Sequence, residues 1–151
     1  RSDKNSEQMR LAAQAGDQQL LLDIAHTAEV IPYEGVKPVP HTVPWFLGLI
    51  NCRGRITAVM DFSGFLGHPV KPFQDSDGSE MCIRDREVPC ALRVSRVMGL
   101  VSLCDFSPQS KSADEPAWVR SVFVDRESST WRLLDLPLLM GDAKFLDVAA
   151  A

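Results

Sequence analysis

This sequence is short of clustered chemistry. Its four cysteines, Cys52, Cys82, Cys90 and Cys104, include no closely spaced pair, and its histidines, His26, His41 and His68, stand singly. A metal site needs ligands at close helical or hairpin spacing, so no metal is expected. There is no glycine-rich phosphate loop and no Gly-x-Ser-x-Gly elbow, and no cofactor is expected. Basic residues are not in excess. Sixteen Lys and Arg against 20 Asp and Glu leave a net charge of −4, which gives no footprint for nucleic acid. No apolar run is long enough for a bilayer crossing and no apolar signal core opens the chain, so direct membrane insertion is not expected. Without an export signal, the cysteines read as reduced and mostly buried, and the protein as cytoplasmic.

What is present is an ordinary globular composition, 45% hydrophobic and 24% charged over 151 residues. The chain is organised around residues 45–67. Leu47 to Asn51 is an apolar run, Cys52-Arg53-Gly54 is a short turn in which Gly54 can take a positive φ, and residues 55–60 make a second strand. Ile56, Ala58 and Met60 share one face of that strand, with Thr57 and Val59 on the other. Leu49, Ile50, Ile56, Val59 and Leu133 are expected in the core. Asp61 reads as the N-cap of a helical turn over 62–66, which Gly67 closes.

The pattern returns. Trp118 opens an apolar run to Val124, a polar turn over 125–129 follows, and 130–134 is a second strand before Asp135, Pro137 and Gly141. Asp61 and Asp135 are 74 residues apart, as are Gly67 and Gly141, and the two tryptophans are 73 apart. Recurrence of the whole unit predicts two similar halves. Both aspartates are better explained as caps than as an acid–base pair.

Residues 1–18 read as a polar and helical extension, with Met9, Leu11, Ala12 and Ala15 on one side of a helix ending at Gly16. Residues 19–25 and 30–32 read as strands separated by a polar break. Pro32, Pro38, Pro40 and Pro44 exclude regular helix between them and mark an extended crossing. Residues 73–87 read as a loop without periodicity. Within it, the string 79–86 resembles a translated sequencing-adapter remnant and so a non-native insert; a natural surface loop is the alternative. Residues 88–94 form a strand, 97–103 continue apolar, 107–116 are a surface loop, and Phe145, Leu146 and Val148 dock a last turn.

Glu29-Val-Ile-Pro, Val39-Pro40 and the run from Trp45 to Phe62, with its Asn51-Cys-Arg-Gly turn, together resemble CheW-type chemotaxis coupling proteins. Ala91-Leu-Arg-Val-Ser-Arg-Val-Met-Gly-Leu and Leu133-Leu-Asp-Leu resemble that family's later strand and closing cap. Asp61-Phe-Ser-Gly-Phe-Leu-Gly is most similar to PilI-like proteins of type IV pilus twitching systems. The likeness spans about 19–141. It departs at Ala58, where the family usually has Pro, at Ser95, where it has Asp, and at 73–87, where it has a further apolar strand.

The resemblance implies a mainly β fold of two five-stranded SH3-like barrels around a shared core, one CheW-like domain over 19–151. It implies a non-enzymatic adaptor between the cytoplasmic tip of a methyl-accepting chemoreceptor and a CheA-like histidine kinase. Arg53, Gly54, Asn51, Ile31, Val36 and Val101 are the partner-binding residues on this reading. Arg1 in place of Met leaves open a regulatory piece of a larger kinase or of a coupling–receiver fusion. A small enzyme with Cys52 as nucleophile is the alternative of another class.

Overall fold

The computed structural model describes residues 8–32, 35–70, 79–83 and 89–149. Strand β1 (Met9–Ala15) turns through Gly16, at φ 62°, into β2 (Gln18–Leu22). The helix expected to end at Gly16 is therefore a strand, and the boundary expected after residue 18 falls inside this hairpin. The reason is burial on both faces. Ala12 packs with Leu21 and Trp131, while Ala13 and Ala15 pack on the opposite side with Leu20 and Leu22. A strand covered on both sides shows no polar alternation, and an alanine-rich one mimics helix propensity.

A 3-10 turn over Ile24–His26, capped by the Asp23 side chain, leads into β3 (Thr27–Pro32). β4 (Phe46–Cys52) and β5 (Arg55–Asp61) form the second hairpin, and α1 (Phe62–Phe65) follows directly. β6 (Ser79–Ile83), β7 (Cys90–Val94) and β8 (Arg96–Ser102) come next, then β9 (Ser107–Gln109). β10 (Val119–Val124), β11 (Thr130–Leu134), α2 (Leu136–Met140) and α3 (Ala143–Leu146) complete the chain.

The strands form a 6-stranded sheet, β8-β1-β2-β11-β10-β9, and a 5-stranded sheet, β3-β6-β7-β5-β4. The two are built alike. β5 pairs in parallel with β7, as β11 does with β2, and each of these parallel partners belongs to an antiparallel hairpin. In the five-stranded half that hairpin, β6–β7, follows β5 along the chain. In the six-stranded half its counterpart is β1–β2, from the start of the chain, so the halves are tied by exchange of a hairpin. β9 is the strand beyond the expected five.

Alternation along the central strands then divides the core in three. Met60, Leu92, Leu20, Leu22 and Leu134 face a shared core with the helices and Trp118. Val59 and Ala91 face a smaller cluster inside the five-stranded sheet, while Leu21 and Leu133 face one inside the six-stranded sheet. Ile31 of β3 and Ile50 of β4 join the same small cluster from opposite edges of their sheet, so that sheet is curled. This is the mainly β, two-sheet arrangement that the sequence predicts.

Four further expectations fail. Residues 79–83, placed in a loop, are a strand between β3 and β7 and supply the further strand after the first helix; the remainder of 73–87 lies outside the described residues. Ser107–Gln109, also placed in a loop, pairs with β10. Ile56, expected in the core, is 62% exposed, because alternation at the end of a hairpin no longer has a sheet to face. Leu146 is also exposed at 40%, whereas Phe145 beside it is fully buried against Trp45 and Phe65.

Candidate functional site: the β4–β5 tip and its surroundings

The tip is a tight turn whose two central residues, Arg53 at φ 54° and Gly54 at φ 81°, are both left-handed. Cys52 and Arg55 close it as a strand pair. Turns of this hand match the twist of the strands they join and favour Asn-Gly, so an arginine at the first position is uncommon. Asn51 Oδ1 accepts the Gly54 N–H at 2.8 Å, which fixes the turn from within. The Arg53 guanidinium pairs with the Glu29 carboxylate of β3, and Cys52 Sγ donates to the same carboxylate at 3.7 Å. Even so, the Arg53 side chain is 76% exposed.

Ile31 and Val36 are half-buried against Ile50, Val59 and Ala91. Val36 is held there because Lys37 exchanges two backbone hydrogen bonds of 2.9 Å with Leu49. That approach requires Gly48, where a Cβ would run into the Lys37 carbonyl. Val101, half-buried, belongs to β8 in the other sheet and packs on the cluster with Leu21 and Leu133. The structure thus unites Asn51, Arg53 and Gly54 at one tip, sets Ile31 on the same sheet with Val36 packed beside it, and leaves Val101 in the other half. Glu29 is the member that sequence reasoning missed as a site residue. Its pairing with Arg53 joins strands that are not neighbours in their sheet, and no local pattern signals it.

Asp61 and Asp135 do not form a carboxylate pair; they sit one in each half. Asp135 caps α2 by accepting the Leu138 N–H at 3.1 Å and pairs with Arg120 at 3.0 Å. Partial burial pushes its carboxyl up, but the Leu138 N–H and Arg120 outweigh this and hold it below the ordinary value. Asp61 keeps the N-cap position of α1 and its extended backbone, but the Ser63 and Gly64 N–H groups near its carboxyl do not close a full capping hydrogen bond, so the cap expected there is present in position only. Asp61 is buried with its Oδ2 3.9 Å from Arg93 Nη1. Burial raises its carboxyl above the ordinary value, against the opposing pull of Arg93 and the nearby Gly64 and Ser63 N–H groups.

Among the described residues no group of three or more His, Cys, Asp and Glu side chains is placed to hold a metal ion. Cys52 is half-buried and Cys90 buried, but Cys104 is exposed, so the expectation of mostly buried thiols fails there. No helix among the described residues is long and apolar enough to cross a membrane.

The pattern of the CheW-like domain matches residues 11–144, most of the chain. The chain belongs to the CheW-like domain family. It is 35% identical over 57 residues to the chemotaxis protein CheW of Rhizobium meliloti (strain 1021), covering 38% of this chain and 37% of that protein. It is 27% identical over 95 residues to CheW of Thermotoga maritima, covering 63% and 62%. The matched stretches thus span well under half of one relative and somewhat under two thirds of the other. The scaffolding protein TtCheW from Thermoanaerobacter tengcongensis shares the fold, with a TM-score of 0.70 at 18% identity over 85% of this chain and 84% of that one. Ser95, where the resemblance implies Asp, is a hydrogen-bond acceptor. Its Oγ takes the Gly16 N–H at 2.9 Å and so ties the β1–β2 turn to the start of β8.

Proposed function

We propose that this CheW-like chain is a non-catalytic adaptor that couples the cytoplasmic tip of a methyl-accepting receptor to a histidine kinase. The process is chemotaxis or, given the PilI-like run after Asp61, pilus-driven twitching motility. Family membership supports the adaptor role. The observation that carries the contact surface is the β4–β5 tip, where Arg53 is held in a left-handed turn and exposed to solvent. A guanidinium presented in this way adds little to packing and suits a partner's carboxylate or aromatic face. Ile31 and Val36 extend the surface along the same sheet, and Val101 adds to it from the other half. Cys52 serves the tip as a donor to Glu29, not as a nucleophile.

The test is co-sedimentation with receptor-containing membranes and kinase, beside a thermal melt of each variant. Arg53→Ala should weaken assembly with little change in the melt. Arg53→Glu should weaken it further, because like charges then face each other across the contact. Assembly at parental strength in both variants would reduce Arg53 to a solvated turn residue.

A further inference from the structure

We propose that the cavity at the seam between the two halves binds a small aromatic zwitterion, a single ring bearing one carboxylate and one ammonium group. The cavity, open to solvent on one side, has a volume of about 230 Å³. Phe62, Leu66 and His68 line it from the five-stranded half, and Leu20, Arg132 and Leu134 from the six-stranded half. Its floor is dry. Phe62, Leu20 and Leu134 are at most 2% exposed, and the Trp118 ring, also lining it, meets Phe62 edge-on with centroids 5.6 Å apart. A cavity of about 150 Å³ accommodates benzene, so this one has room for a ring with a short polar substituent. Aromatic walls favour a ring as the apolar body.

The mouth is polar and balanced in charge. Arg132 Nε donates to Glu115 Oε1 at 2.6 Å and its Nη1 to Gln18 Oε1 at 3.0 Å, which sets the plane of the guanidinium. Nearby, His68 Nε2 stands 3.6 Å from Asp17 Oδ1. These contacts use Nε and Nη1 of the arginine and Oε1 of the glutamate; among the described residues Nη2 and Oε2 make no further hydrogen bond, and both side chains line the cavity, so the pair has hydrogen-bonding capacity left for a ligand's carboxylate and ammonium. A ligand with one charge meets the member of like sign at close range, whereas a zwitterion satisfies both.

Calorimetric titration of the full chain with L-phenylalanine, phenylacetate and phenethylamine tests the proposal. L-phenylalanine should bind about tenfold more tightly than either singly charged analogue. Leu66→Trp, which puts a ring into the cavity, should abolish that binding. Arg132→Gln combined with Glu115→Gln keeps hydrogen-bonding groups at the mouth without the charges, and should weaken L-phenylalanine to the level of the analogues. The double variant decides the matter if Leu66→Trp does not fold. No heat with L-phenylalanine, equal affinity for the three compounds, or binding that survives either set of substitutions overturns the proposal.

Discussion

In the five-stranded half the Asp61 N–H donates to the Trp45 carbonyl at 2.7 Å, and in the six-stranded half the Asp135 N–H donates to the Trp118 carbonyl at the same distance. The backbone frame repeats, but the side chains hold it differently. Asp135 works locally, capping its own helix and pairing with an exposed arginine on the adjacent strand. Asp61 is buried and faces Arg93, its register partner on the parallel strand β7. One half thus fixes the corner through its own hairpin and helix, whereas the other ties it across a non-local parallel pair. Repetition of a backbone pattern does not carry its energetics with it.

The hairpins that complete each half offer the largest test. β6 lies inside its sheet, bonded to β3 and β7, as β1 lies between β8 and β2. Deleting residues 79–83 should abolish cooperative unfolding, since β3 would lose its sheet partner and β7 would be left as an edge. A far-UV melt checks this. A transition within a few degrees of the parent's would show that the five-stranded sheet stands without β6.

Next comes the buried pair. Arg93→Met should cost about 3–5 kcal/mol, because Asp61 is left in the interior without its counter-charge. Adding Asp61→Asn should recover much of the loss, with urea midpoints of the single and double variants closing the cycle. Losses that simply add would show that the pair, at 3.9 Å, is not coupled.

Asp135→Ala should cost less, about 0.5–2 kcal/mol for a lost cap, and Asp135→Asn less again. The two aspartates should also respond to acid with opposite signs. Asp135 is held below its ordinary value near 3.8, so its contribution is present above that value and lost as pH falls through the lower folded one. Asp61 is raised above 3.8, so the folded state keeps its proton more tightly. Its charged form costs stability above the folded value, and that cost is relieved as pH falls through it. Urea midpoints measured down the acid limb should therefore fall more steeply in Asp61→Asn than in the parent, and less steeply in Asp135→Asn. A shared sign in the two variants would refute the contrast.

What the sequence reveals follows the same division. β10, β11 and α2 are legible because strand, turn, Asp135 and Gly141 are all local signals, and the β4–β5 turn is legible for the same reason. β1 is not, because two buried faces erase alternation and leave alanines that read as helix. β6 is not, because Ser-Glu-Met-Cys-Ile is short and sits between polar and charged residues in the sequence, and it becomes a strand only between β3 and β7. Arg53 and Gly54 stand out as a turn, whereas Glu29 joins them only through the fold. The missed contacts are the ones made between distant segments.

The smallest effect on stability is expected at the two hairpin tips. The β10–β11 tip is locked by Asp125, which accepts the Glu127 and Ser129 N–H groups and the Trp131 Nε1–H, all within 3.0 Å. The β4–β5 tip has a weaker lock, Asn51 on Gly54, and places a long, charged residue with a Cβ at a left-handed position. Asn is the preferred first residue of such a turn, so Arg53→Asn should ease the backbone while losing an exposed pair to Glu29. The two changes oppose each other, and the net shift should stay within about 1 kcal/mol. If the fold alone selected this residue, the substitution would carry no penalty anywhere. On the adaptor reading it should leave the melt almost unmoved and still weaken co-sedimentation with receptor and kinase, because asparagine cannot supply the charged fork. A marked loss of stability would instead make the Arg53–Glu29 pair a structural clasp between β3 and the tip.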